Sequence, residues 1–253
     1  MKRVAIITGA SSGMGKEFAL EIDRKFNSID EIWLIARRKD RLEELRREIN
    51  KSCQIFCEDI TQEGFKDRFL TILKQEKPSV KMLINCAGYG IYGNVIEESI
   101  EEEKGMIDVN CTALTVVILS TIPYMAKNSR IINMASSAGF LPQPNFSIYA
   151  ATKSYVLSFS RSLNRELKDK NICVTAVCPG PVRTEFFTIA EKGKEKPAFK
   201  EMFMVEAKDV VKLALKDSMN KKEVSVYGKA MKLFAFITKI LPHKLILDFY
   251  TLK

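Results

Sequence analysis

Residues 3–22, RVAIITGASSGMGKEFALEI, decide how this chain is read. A β-branched run, RVAIIT, passes without a linker into a turn carrying Thr8, Gly9, Gly13 and Gly15, and the turn opens a helical pattern. Glycines in such a turn let the chain double back tightly and let backbone N–H groups and a helix N-terminus approach a pyrophosphate. A glycine cluster alone is a weak signal. Its place after a strand, ahead of a helix and a second strand, EIWLIA, strengthens it.

Outward from that unit the same rhythm repeats. RVAIIT, EIWLIA, QIFCEDI, KMLINCAG, RIINMAS and NICVTAVCP alternate with stretches whose apolar residues recur every three or four positions. The strands are almost continuously apolar, as expected where helices cover both faces of a parallel sheet. The fold class is therefore α/β: a doubly wound parallel sheet in three α/β/α layers, Rossmann-like, and one domain over residues 1–253. No internal repeat or linker interrupts it. Residues 180–204, rich in Lys, Pro, Glu and Phe, form the one irregular stretch and are expected to be a mobile flap beside the site. Residues 228–253 are apolar but broken by Lys229, Lys232, Lys239 and Lys244, so they cannot be a spanning helix. Two short amphipathic helices broken at Pro242 are expected, packed on the domain or on a partner subunit. The competing readings are a lid over the substrate and an anchor on an anionic membrane surface.

Composition narrows the function. The 253 residues are 46% hydrophobic, enough for a full core, and carry a net charge of +9. The basic residues are scattered among 31 acidic ones, so a solvated surface is expected and no nucleic acid partner, while a bound dinucleotide would itself profit from a positive field. KRVAIIT runs straight into the glycine turn, which is not the pattern of a secretion signal, and a cytoplasmic location is expected. Six cysteines without CxxC spacing read as free, mostly buried thiols. His243 is the only histidine, which leaves little from which to build a metal site, and none is expected.

At the end of the second strand, a cofactor lacking a 2'-phosphate would want a carboxylate for its adenosine ribose. The chain offers Arg37 and Arg38 instead. One guanidinium can pair with a phosphate while the other stacks on adenine, so NADP is expected over NAD. Further along, SIYAATKSY sets Tyr149 and Lys153 four apart on one helical face, with Ser136 upstream at the end of RIINMAS, and INCAG and VNCTA before that.

Taken together these motifs resemble the short-chain dehydrogenase/reductase family, in its single-domain branch of this length, and the resemblance covers nearly the whole chain. It implies a catalytic set of Asn110, Ser136, Tyr149 and Lys153. For the cofactor it implies the turn Thr8, Gly9, Ser11, Ser12, Gly13, Met14 and Gly15, then Arg37 and Arg38, and Asp59 with Ile60 beside the adenine. Asn85, Ala87 and Gly88 carry the family's NAG element, and Tyr149 and Lys153 also reach the cofactor. Pro179, Gly180, Val182 and Thr184, in PGPVRT, are implied to hold the carboxamide end. Cys86 departs from the family, which often has asparagine there. By the same analogy the protein is a homodimer or homotetramer, paired through the helices carrying Asn110 and Tyr149.

The residue types suit hydride transfer between NADP and a carbonyl or alcohol carbon. A carbonyl that gains hydride must also gain a proton, and a free phenol with a pKa near 10 is poorly matched to neutral pH. The Lys153 ammonium is expected to lower that value and to hold the nicotinamide ribose. Ser136 is expected to donate to the oxyanion, and Asn110 to hold a water linking Lys153 to solvent. Two rivals stand beside this. GASSG also satisfies G-x-S-x-G, which would make Ser11 a hydrolase nucleophile with His243 as its base, though the elbow would follow the first strand, leaving no earlier strand and loop to supply the second oxyanion donor. A non-catalytic NADP-sensing module could use the same fold. Phe186, Phe187, Phe199, Met202, Phe203, Met204, Phe234 and Phe236 suggest an apolar pocket for a bulky hydrophobic ketone or alcohol, such as a hydroxysteroid or acyl compound.

Overall fold

EIWLIA forms strand β2, Glu31–Ala36, and all six of its residues are buried, which requires cover on both faces of the sheet. In the computed structural model, described over residues 1–191 and 204–251, that cover is helical. The elements run β1 (Arg3–Thr8), α1 (Gly13–Lys25), β2, α2 (Lys39–Glu48), β3 (Ser52–Cys57), α3 (Phe65–Glu76) and β4 (Ser79–Asn85). Then follow α4 (Ile100–Ile107), a π-helical turn (Asp108–Ala113), α5 (Leu114–Thr121), β5 (Met125–Met134), α6 (Ser147–Glu166) and β6 (Cys173–Val177). A short pair, β7 (Val182–Arg183) and β8 (Val205–Glu206), brackets α7 (Phe186–Glu191). The chain ends with α8 (Ala207–Met219), β9 (Val224–Ser225), α9 (Lys229–Ile240) and α10 (His243–Thr251).

Seven parallel strands lie in the order β3-β2-β1-β4-β5-β6-β9. Alternate residues of each strand feed opposite cores. Ala5, Ile7, Ile32 and Leu34 pack against Phe18, Leu42 and Val211 on one face. Val4, Ile6, Trp33 and Ile35 pack against Phe69, Val117 and Leu163 on the other. This is the expected doubly wound, single-domain architecture. The stretch Ile100–Tyr124 is apolar and long enough to cross a membrane by composition. Leu114, Val117 and Ile118 nevertheless sit in the core as a crossover helix should.

Boundaries differ from the sequence reading in three places. β5 starts at Met125, ahead of RIINMAS, and the two-residue β9 was not expected. The stretch read as irregular carries two short regular elements where it is described, β7 and α7, and the Thr184 hydroxyl accepts a hydrogen bond from the Phe186 N–H at 3.3 Å at the start of the helix. Residues 192–203, including Phe199, Met202 and Phe203, lie outside the described residues. At the C-terminus α9 and α10 flank Pro242, whose carbonyl accepts from the Leu245 N–H at 3.1 Å as the next helix begins.

Candidate active site

In this strand order the chain builds outward from β1 to one side through β2 and β3 and then crosses to the other side at β4, and a crevice opens at the carboxyl ends of β1 and β4. The glycine turn lines it. Gly9 has φ of +66°, and a Cβ there would lie 2.6 Å from the Ala87 nitrogen; Gly13 has φ of +52°. A Cβ on Gly15 would overlap the Gly9 carbonyl. Thr8 stitches the crevice from below, its hydroxyl accepting from the Ala87 N–H at 3.3 Å. The resulting trough, of about 280 Å³, is lined by Gly9, Ser11, Ser12, Gly13, Met14, Gly15, Arg37, Arg38, Asp59, Ile60, Ala87 and Gly88.

Arg37 is largely exposed, with one guanidinium nitrogen 3.7 Å from Asp59. Burial opposes ionisation of Asp59, but hydrogen bonds from Thr61 and the charge of Arg37 hold its carboxyl below the usual range. Arg38 donates to Ser11 Oγ at 3.2 and 3.3 Å and forms a 2.9 Å ion pair with Glu185. Glu185 is therefore held below its ordinary pKa, first by that bond to Arg38. Sequence reading passed over Glu185, and no local signal singles it out, because its partner arrives from the opposite side of the crevice.

A second cavity, of about 390 Å³, adjoins the trough and shares Met14, Cys86, Gly88, Thr184 and Phe186 with it. Ser136, Tyr149, Lys153, Pro179, Gly180 and Val182 line this cavity. Phe146, Phe187, Leu141 and, from the tail, Met231, Phe234 and Ile246 make the rest of its wall mostly apolar. A Cβ on Gly180 would lie 2.7 Å from the Met231 sulfur, so the tail rests directly on that loop.

Tyr149 and Lys153 stand one turn apart on α6. The Tyr149 ring stacks on Phe146 with centroids 4.2 Å apart and tilts against Phe186 at 5.4 Å. Lys153 Nζ lies 5.5 Å from the Tyr149 ring centroid and donates to the Met134 carbonyl at 2.9 Å. Ser136, just past β5, caps a short 3₁₀ turn by accepting from the Ala138 N–H at 3.1 Å. Burial dominates the titration of this group. It pushes Tyr149 well above its ordinary value, with a hydrogen bond from Ser136 acting the other way. It also draws Lys153 down to about 8. Burial thus works against the lowering of the Tyr149 pKa expected from Lys153, because the same apolar wall penalises both charges.

Asn110 and Asn85, like Thr8, line neither cavity. Asn110 lies buried in the π-helical turn, a rare helix irregularity that is frequent at functional sites. Its amide donates to the Tyr89 carbonyl at 2.9 Å and to Thr152 Oγ1 at 3.0 Å, and its oxygen accepts from the Tyr89 N–H at 3.2 Å. A Cβ on Gly88 would lie 2.6 Å from that oxygen and 3.5 Å from Lys153 Nζ, so Asn110 props the segment between trough and cavity. Asn85 is buried between strands, donating to Asn133 Oδ1 at 2.8 Å; Asn133 in turn donates to Ser160. This network ties β4 and β5 to α6 beneath the site.

Ser11 and His243 do not form a nucleophile and base. Ser11 serves Arg38, while the His243 ring lies 3.3 Å from the Thr238 carbonyl and lines neither cavity.

Comparison with known proteins agrees with this geometry. The sequence model described as short chain dehydrogenase matches residues 3–195. An uncharacterized oxidoreductase of Staphylococcus epidermidis is 31% identical over 197 residues, which is 77% of this chain and 84% of the relative. A short-chain dehydrogenase from Sphingobium yanoikuyae, solved in complex with NADPH, superposes with a TM-score of 0.78 at 29% identity over 92% of each chain. A serine dehydrogenase in its closed form with NADP+ gives 0.79 at 26% identity, over 88% of this chain and 94% of the other. The bulky-bulky ketone specific alcohol dehydrogenase from Comamonas testosteroni gives 0.73 at 25% identity over 95% of each.

Proposed function

The chain belongs to the short-chain dehydrogenase family, and on that premise we propose that it is an NADP-dependent oxidoreductase that interconverts bulky apolar ketones and secondary alcohols. The observation that carries this reading is the convergence of Ser136, Tyr149 and Lys153 on one apolar cavity that opens into a glycine-lined trough ending at Arg37 and Arg38.

The trough fits a dinucleotide: Gly9 and Gly15 let the turn fold back where a Cβ would run into backbone, and the residues that open α1, Gly13, Met14 and Gly15, line it. Arg37 and Arg38 would hold the 2'-phosphate and adenine, and Val182 and Thr184 the carboxamide end. Bound there, NADP(H) supplies or accepts the hydride. The protein's own residues manage the proton. Tyr149, kept neutral by burial, gives the proton of its phenol oxygen to the substrate oxygen in reduction and takes it back in oxidation. Ser136 donates a hydrogen bond to that same oxygen as charge develops on it. Lys153 stabilises the phenolate left behind, and Asn110 positions Gly88 and Tyr89 around it. Phe146, Phe186, Phe187 and Phe234 exclude water and favour a hydrophobic substrate. The solved relative named for bulky-bulky ketones supports that substrate class, and the NADPH and NADP+ complexes support the cofactor.

Nucleotide binding followed by NADPH fluorescence tests the cofactor half of the reading. Arg37→Asp and Arg38→Asp are each expected to weaken NADPH about tenfold or more while leaving NADH nearly unchanged. Equal losses for both nucleotides would overturn it.

A further inference from the structure

The C-terminal helices are apolar on two opposite sides. Inward, Ala235 and Thr238 are buried and Met231, Phe234 and Ile246 line the reaction cavity. Outward, Leu233, Phe236 and Ile240 follow one another at steps of three and four, hence in one stripe, and are 59%, 60% and 61% exposed. Leu241 and Leu245 continue the exposed run past Pro242. A helix resting on a domain ordinarily turns polar residues to water. Here its outer stripe is Leu, Phe and Ile, and its charges are Lys229, Lys232 and Lys239 with no acidic residue in KAMKLFAFITKI.

We propose that this outer stripe docks on the surface of an anionic lipid bilayer. Leu233, Phe236 and Ile240 would enter the boundary between headgroups and acyl chains, and the lysines would reach the acidic headgroups on flexible stems. Charge decides the occupant: a run of lysines with no acid complements anionic lipid and repels a second copy of itself. A second copy has an alternative on α5 and α6, where Leu119 and Tyr155 are exposed. At 12 residues α9 is too short to cross a bilayer, so it lies in the interface plane. Its inner face then roofs the apolar cavity directly below the lipid. The inference does not depend on the cofactor or the reaction.

Sedimentation of the full-length protein with vesicles tests it, using phosphatidylcholine alone and phosphatidylcholine mixed with phosphatidylserine. The wild type is expected to pellet with the mixed vesicles about tenfold more than with the neutral ones. Phe236→Glu and, separately, Lys232→Gln with Lys239→Gln should each abolish most of that binding. None of these residues lines either cavity, so unchanged NADPH titration of each variant reports an intact fold. Absence of pelleting with mixed vesicles overturns the proposal. So does pelleting that Phe236→Glu leaves unchanged, which would be surface charge alone, and so does a stripe whose mutation dissociates an oligomer without affecting vesicles.

Discussion

Lys153 and Tyr149 share an apolar wall that resists charge on either, and their side chains meet only 5.5 Å apart, Nζ to ring centroid. This burial draws Lys153 down to about 8. The stability consequence has a definite sign. Between about 8 and the unfolded value of 10.5 the unfolded chain binds the proton that the folded chain has released. The penalty of burying the ammonium is therefore full below that window and is relieved as pH rises through it. Lys153→Met should then be the more stable protein at pH 7, and its advantage over wild type should shrink by about 2 kcal/mol towards pH 10. Denaturant titrations of both proteins at the two pH values check this; a gap independent of pH would show that Lys153 is not titrating in the fold. Glu185 offers a second residue-scale prediction. It occupies the guanidinium of Arg38 that a 2'-phosphate would engage, so Glu185→Gln should tighten NADPH about threefold to tenfold and leave NADH alone. Unchanged NADPH affinity would show that the ion pair does not compete. Helical spacing put Tyr149 and Lys153 on one face and a strand end placed Ser136, while their joint role came from the family resemblance. Glu185 was not legible, since only tertiary structure brings its loop to Arg38.

At the scale of elements, the β1 turn is the most constrained piece of the site. Gly9 combines φ of +66° with a backbone approach that leaves no room for a methyl group. Gly9→Ala is expected to cost about 1–3 kcal/mol of stability and to abolish detectable NADPH binding, read by thermal unfolding and fluorescence titration. Normal binding in that variant would mean the turn is not a phosphate cradle. Long apolar strands such as EIWLIA announced themselves, as did the helix that follows the glycine turn. The two-residue β9 did not, because it is held by pairing with β6 and no periodicity is visible over two residues. The tail was readable as two amphipathic helices around Pro242. Its orientation was not: the apolar residues are numerous enough to serve both the cavity and the outer stripe, and only packing against Gly180 and the 3₁₀ turn after Ser136 assigns them.

Across the whole molecule, seven strands and their crossovers do one thing for function, which is to set a nucleotide trough and an apolar cavity end to end. At about 390 Å³ the cavity has the volume of a small-molecule site, and its wall is largely aromatic and apolar. That the sheet is parallel and doubly wound was legible from the alternation of motifs; the order of its strands comes from the fold itself. The size of the cavity was not legible, because it is formed jointly by α6, the loop after β6, α7 and the tail. The most direct test of the account mixes purified protein with NADPH and a bulky aromatic ketone and follows NADPH consumption for wild type beside Tyr149→Phe. Turnover by wild type and a rate at least about a thousandfold lower in Tyr149→Phe, with NADPH affinity within about twofold, is the predicted result. A Tyr149→Phe rate within about tenfold of wild type would contradict it.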